Sequence, residues 1–170
     1  MWNYTGTQRP EFALEPGPGQ ESVWDYPRPP VLVDSAQLVE VYDGNNMVAS
    51  STATKRVLET ASPPTIYIPA EDIAMSLLLR ASGHSFCEWK GAAQYWRLAN
   101  APNGEAIGWS YPDPRPPFTD IRDWLCFYPG RIACFIDQER VRPQEGGFYG
   151  GWVTANITGP WKGSPGTSNW

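Results

Sequence analysis

Phe86-Cys87-Glu88-Trp89-Lys90-Gly91-Ala92-Ala93-Gln94-Tyr95 is the stretch on which the reading of this chain turns. It sets a thiol, a carboxylate, an indole, an ammonium and a phenol close together, beside His84, the chain's one histidine. From Ser85 onward the pattern is that of strands. Gly91 marks a bend or a close approach of backbone, and Ala93 to Leu98 reads as a strand with Tyr95 on one face and Trp96 on the other. Downstream, Trp109-Ser110-Tyr111-Pro112 supplies a second aromatic cluster, and the two segments read as floor and wall of one site.

Working outward, Leu38 to Tyr42 and Met47 to Ser50 flank Asp43-Gly44-Asn45-Asn46, which predicts a hairpin. Thr65 to Ile68, Ala106 to Ser110, Leu125 to Tyr128 and Ile132 to Ile136 read as short strands, with Pro129-Gly130 suited to a type II turn between the last two. Tyr111 to Pro117 is too rich in proline to be other than an extended loop. One short helix near 70–80 is expected, and a further stretch before it has helical spacing. Thr52 to Glu59 has Ala53, Val57 and Leu58 at helical spacing, and Ala70 to Leu79 follows Pro69 with an acidic first turn and apolar Ile73, Leu77 and Leu78. Gly83 would stop the helix.

Composition bounds the class. Gly 16 and Pro 18 together make a fifth of the 170 residues, which disfavours long helices and favours short strands joined by turns. With Trp 9, Tyr 8 and Phe 6, aromatic rings must supply much of the buried area. Lys and Arg number 13 against 18 Asp and Glu, a formal charge of −5 with no basic run, so no nucleic-acid partner is expected. No apolar run approaches a membrane span and the N-terminus lacks a signal-like pattern, so no membrane partner is expected and the default location is cytoplasmic.

Three cysteines, Cys87, Cys126 and Cys134, cannot make a closed disulfide framework. A zinc site joining His84 and Cys87 to Cys126 and Cys134 lacks the close cysteine pairs usual in structural zinc sites, so no metal and no cofactor is expected. Three segments divide the chain: a Pro-rich N-terminal segment over 1–30, docked in part; a β core over 31–141; and a Gly/aromatic tail over 142–170. In that tail Trp152 and Trp161 are costly to leave in water, so it is expected to wrap the core or to bind a second copy of the chain.

The ordered set Cys87-Glu88-Trp89-Lys90-Gly91, Tyr95-Trp96, Trp109 to Pro114 and Phe127-Tyr128 resembles domain-of-unknown-function family four-two-seven. The upstream Asp43-Gly44 hairpin, Leu58-Glu59-Thr60 and Pro64 to Pro69 agree with it. The front Trp24 to Pro30 and the close Phe148 to Trp152 are similar to the cyanobacterial and algal form, in which glutamate, here Glu88, replaces the proline of most members. The resemblance implies a small, mainly β domain (α+β by its one short helix near 70–80) of two antiparallel sheets, β-tent-like in architecture. It implies no established substrate. The family carries a nucleotidyltransferase-like label, yet the chain has neither a Gly-Ser followed by Asp-x-Asp nor a phosphate-binding Gly-x-x-x-x-Gly-Lys loop.

Function therefore rests on the residues. Lys90, between an indole and a glycine and flanked by strands, is placed to bind an anion, or to act as base or nucleophile. Cys87, beside Lys90 and His84, is either a reactive thiol or a buried structural one, with Glu88 working against its thiolate. Tyr95, Trp109 and Tyr111 are candidate pocket walls, with Ser110 as a hydrogen-bonding group, while Trp96 and Phe127 belong to the core. The leading expectation is a small-molecule-binding β domain with Lys90 as anion anchor. Its ligand-binding residues are Lys90, Tyr95, Trp109, Tyr111, Glu88 and His84, and its ligand is anionic or ring-containing. The alternatives are an enzyme using Cys87 or Lys90, and a protein-interaction module acting through the tail.

Overall fold

A computed structural model describes residues 2–170. The chain is mainly β, and its strands form several sheets, none closed into a barrel. They run β1 (Glu21–Ser22), β2 (Val31–Ser35), β3 (Val39–Asp43), β4 (Asn46–Ser51) and β5 (Thr54–Leu58). Next come β6 (Thr65–Tyr67), β7 (Leu78–Cys87), β8 (Gly91–Leu98), β9 (Gly108–Ser110) and β10 (Leu125–Phe127). The last are β11 (Ala133–Ile136), β12 (Glu139–Arg140), β13 (Arg142–Pro143), β14 (Trp152–Val153) and β15 (Ile157–Thr158). Two four-stranded antiparallel sheets, β10-β9-β8-β7 and β12-β11-β3-β4, match the expected pair. Beside them stand a three-stranded sheet, β2-β5-β6, and the short pairs β13-β14 and β1-β15.

Several elements follow from local chemistry. β3 and β4 pair Asp43 with Asn46 across Gly44-Asn45, and Gly44 takes φ +56° at the first central position, as a two-residue hairpin turn requires. β7 and β8 close on a three-residue loop, Glu88-Trp89-Lys90, because Gly91 takes φ +100° and pairs with Cys87. Gly83, at φ +101°, is not a helix stop. It lies in an irregularity between Ala81 and His84 that lets β7 bend while staying paired with β8.

Neither stretch forms a helix. Thr54–Leu58 is the middle strand of its sheet, hydrogen-bonded to β2 on one side and β6 on the other. Val57 faces the main core and Leu58 a second core built on Val23, Trp24 and Tyr26. A strand covered on both faces shows apolar neighbours that imitate helical spacing over so short a window. Over 70–79 the backbone makes two 3-10 turns, Ala70–Asp72 and Met75–Leu77, separated by Ile73 in extended conformation. Ile73 bridges Ala49 and the Ala74 amide donates to the Val48 carbonyl at 2.8 Å, so pairing with β4 takes the groups a helix would use. Leu78 is then buried while Leu77 and Leu79 are exposed, the alternation of a strand start.

Pro129-Gly130 also differs from expectation. The turn closes, with the Arg131 amide donating to the Tyr128 carbonyl at 2.9 Å, yet Gly130 is not left-handed, so the turn is not type II. It carries the chain from β10 in one sheet to β11 in another.

The ends pack on this frame. Trp152 is buried to within 1%; its amide donates to the Pro64 carbonyl at 2.8 Å and its Nε1 to the Phe127 carbonyl at 2.9 Å. Trp24 is fully buried, with Tyr4, Phe12 and Trp170 against its ring. β1 pairs with β15 in parallel. Among the described residues no helix is long and apolar enough to cross a membrane.

Candidate functional site

The β7–β8 hairpin tip forms one wall of a cavity of about 390 Å³. A proline-rich loop holds the tip in place: the Arg115 amide donates to the Lys90 carbonyl at 3.1 Å. The Arg115 guanidinium lies 4.9 Å from the Phe86 ring and donates to the Glu88 carbonyl at 3.4 Å. Strand alternation then sorts the motif. Ser85 and Cys87 pair with Ala93 and Gly91 on the inner face, while His84 and Phe86 pair with Gln94 and Ala92 on the other.

Lys90 turns inward and is 7% exposed. Its Nζ lies 5.4 Å from the Phe118 ring and 5.7 Å from that of Tyr111, within reach of cation–π attraction. Among the described residues no carboxylate pairs with it and no acceptor receives a hydrogen bond from it. Tyr111 and Trp109 are both buried in the core and line the cavity, so each is wall and packing at once. The Trp109 indole donates to Tyr67 Oη at 3.1 Å and lies 4.6 Å from the Tyr128 ring. Tyr95, half-buried, also lines the cavity and donates to Ser85 Oγ at 2.7 Å.

The structure thus brings together Lys90, Tyr95, Trp109, Tyr111 and Cys87, with Glu88 exposed at the rim. It does not bring in His84, which is exposed on β7 rather than in a loop and does not line the cavity. That placement also separates it from Cys87. Ser110 is fully buried away from the cavity, where its Oγ receives the Trp96 indole at 2.9 Å and the Gln94 amide at 3.3 Å. Phe127 is core, as expected, whereas Trp96 is only half-buried.

Burial decides the protonation states. It pushes the phenols of Tyr67, Tyr111 and Tyr128 well up, and proximity to Cys87 adds to the rise at Tyr111. These phenols are neutral hydrogen-bonding groups at neutral pH. Burial likewise pushes up the thiols of Cys126 and Cys134, leaving Cys87 as the one thiol on the cavity. Among the described residues no group of three or more His, Cys, Asp or Glu side chains is placed to hold a metal ion.

Sequence reasoning missed much of the far wall. Trp2, Glu59, Gln144, Phe148, Tyr149 and Lys162 line it. Lys162 is 6% exposed; its Nζ sits 4.0 Å from Glu59 Oε1, 4.8 Å from the Trp2 ring and 5.5 Å from the Tyr149 ring. Burial lowers its pKa, and Glu59 works against that shift. The Lys162 amide donates to the Ala61 carbonyl at 2.9 Å, and its carbonyl accepts from the Gln144 amide at 2.7 Å, so the backbone beneath the side chain is fixed. One signal for it exists in the sequence: Trp161-Lys162-Gly163 repeats Trp89-Lys90-Gly91, and both glycines have positive φ.

Comparison with curated proteins finds no match. A family model described as Domain of unknown function (DUF427) matches residues 31–138, a span that holds the β7–β8 hairpin, Trp109 and Tyr111 but neither Trp2 nor Lys162. On that match, which takes in more than half of its length, this chain belongs to the family described as Domain of unknown function (DUF427).

Proposed function

We propose that the cavity binds a small anionic, ring-bearing molecule and that Lys90 is its anion anchor. One observation carries this reading: a lysine only 7% exposed as a residue, on a cavity wall, with no anionic partner for its ammonium among the described residues. Burying a charge without a partner costs several kcal/mol, and a bound anion relieves that cost. The rings of Trp109, Tyr111 and Tyr95 offer flat apolar area for the rest of such a ligand.

Lys90→Met keeps most of the stem and deletes the charge. Folding should survive, and affinity for a simple aromatic anion such as benzenesulfonate should fall by ~2–4 kcal/mol. Lys90→Arg should not restore it, because the wider guanidinium needs a fork of acceptors. If benzenesulfonate neither binds the wild type nor protects it from heat, and Lys90→Met unfolds the protein, Lys90 is structural.

An enzymatic reading rests on a different observation, the Cys87 thiol lining the same cavity beside Tyr111. The two readings separate on Cys87→Ser, which a binding site tolerates and a thiol-dependent enzyme does not.

A further inference from the structure

Among the described residues, the buried charged side chains are Arg28, Lys90 and Lys162. All three are cations, in a chain whose formal charge is −5. Glu59 is the nearest carboxylate, and it is shared: its Oε1 lies 3.3 Å from Arg28 Nε and 4.0 Å from Lys162 Nζ. One carboxylate thus answers two cations on that side of the cavity, and Lys90 has none. Glu88, the other acid on the lining, is exposed at the rim, where water screens it.

Lys90 and Lys162 bring ammonium donors to the lining. Of the acceptors there, Tyr67 Oη receives the Trp109 indole, Ser85 Oγ receives the Tyr95 phenol, and Glu59 serves Arg28.

Resting on the anion-anchor reading above, we infer that the ligand carries a doubly negative phosphate monoester. The two Trp-Lys-Gly loops, 89–91 from the family core and 161–163 from the C-terminal segment, grip it together. Two ammonium groups, each with three N–H donors, suit the double charge and three oxygens of a phosphoryl group better than the single charge and two oxygens of a carboxylate. Lys162 stands outside the family-matched span of 31–138, so the second positive charge is an addition made by this chain's own flanking segment. Trp2 and Tyr149, also outside that span, pack their rings against its ammonium. Lys162 lines the same cavity as Glu88, Trp89 and Lys90 of the hairpin tip.

Calorimetric titration at pH 8 with two probes of one ring tests this. Phenyl phosphate is a dianion there, since a phosphomonoester loses its second proton near pH of about 6, and benzenesulfonate is a monoanion. Wild type should bind phenyl phosphate at least roughly tenfold more tightly than benzenesulfonate, as expected for a second charge partner. Lys162→Met should erase that preference to within about threefold, weakening phenyl phosphate much more than benzenesulfonate, and Lys162→Arg should keep part of it. Should Lys162→Met fail to fold, Lys162→Gln carries the comparison, because it removes the charge, keeps a polar end, and should lower the preference at least roughly threefold. Equal wild-type affinity for the two probes, with benzenesulfonate binding still lost in Lys90→Met, overturns the dianion inference and leaves the anchor standing. Binding of neither probe removes the anchor reading and this inference with it.

Discussion

Replacing Trp152 with alanine tests whether the segment beyond the family-matched span is part of the core or an accessory to it. The indole is 1% exposed, its Nε1 donates to the Phe127 carbonyl at 2.9 Å, and its amide donates to Pro64 at 2.8 Å. A tryptophan buries about 150–250 Å², which at ~25 cal/mol per Å² is worth about 4–6 kcal/mol, an upper bound because unfolded chains already bury some surface. Truncation also strips the Phe127 carbonyl, itself buried, of its side-chain donor, at about 1 kcal/mol or more. Partial collapse of the site returns some of this, so a loss of about 4–5 kcal/mol is expected. For a domain of this size each kcal/mol moves Tm by about 2–4 °C, so the midpoint should fall by roughly 10–15 °C. Thermal melts followed by circular dichroism and by urea denaturation measure it, and Trp152→Phe should lie between. A fall of less than about 3 °C would refute the reasoning and make the segment a passenger.

Three more expectations follow from the same geometry. In Gly150→Ala the new Cβ would sit 2.2 Å from Cη2 of Trp109, so the indole must move; the protein should lose about 1–3 kcal/mol and aromatic anions should bind more weakly. Of the three thiols, Cys87 alone should react with Ellman's reagent in the native state, with Cys126 and Cys134 appearing only in denaturant; rapid native labelling of all three would contradict the burial described. Stability should fall on the alkaline side. Burial raises the folded pKa of Cys126, Cys134, Tyr67 and Tyr111, so their contribution is whole below the unfolded values of 9.0 and 10.0. Above those values the unfolded chain sheds protons the folded one keeps, and each group removes up to about 1.4 kcal/mol per pH unit. Lys162, with its pKa lowered from 10.5, acts in the opposite sense, as one group against several, Tyr128 among them. A urea midpoint unchanged between pH 8 and pH 11 would defeat this account.

The hairpin Asp43 to Asn46 and the tip at Gly91 were legible because a glycine with positive φ leaves a short, local signature. Thr54–Leu58 was not, because its neighbours β2 and β6 and the two cores it separates decide its conformation, and none of them lies within the window that suggested a helix. The stretch 70–79 failed for the same reason, its middle claimed by the edge of β4. At the site, Lys90, Tyr95, Trp109 and Tyr111 were readable since they sit on adjoining strands near one hairpin. His84 was misplaced by strand parity, at the boundary of an irregularity in pairing that no pattern announces. Glu59 and Trp2 carry no local mark at all, and Lys162 carried only the repeated tripeptide.

The parallel pairing of β1 with β15 bears on how the protein is born. Glu21 and Ser22 leave the ribosome long before their partners Ile157 and Thr158. Until then Trp24 lacks Trp170 against its ring, and the cavity lacks Lys162. Parallel strands need a long connection, and here the whole intervening domain is that connection. A nascent or stalled chain short of that pairing therefore displays uncovered aromatic surface of the kind chaperones bind. The cavity wall is complete only once the segment bearing Lys162 has been made.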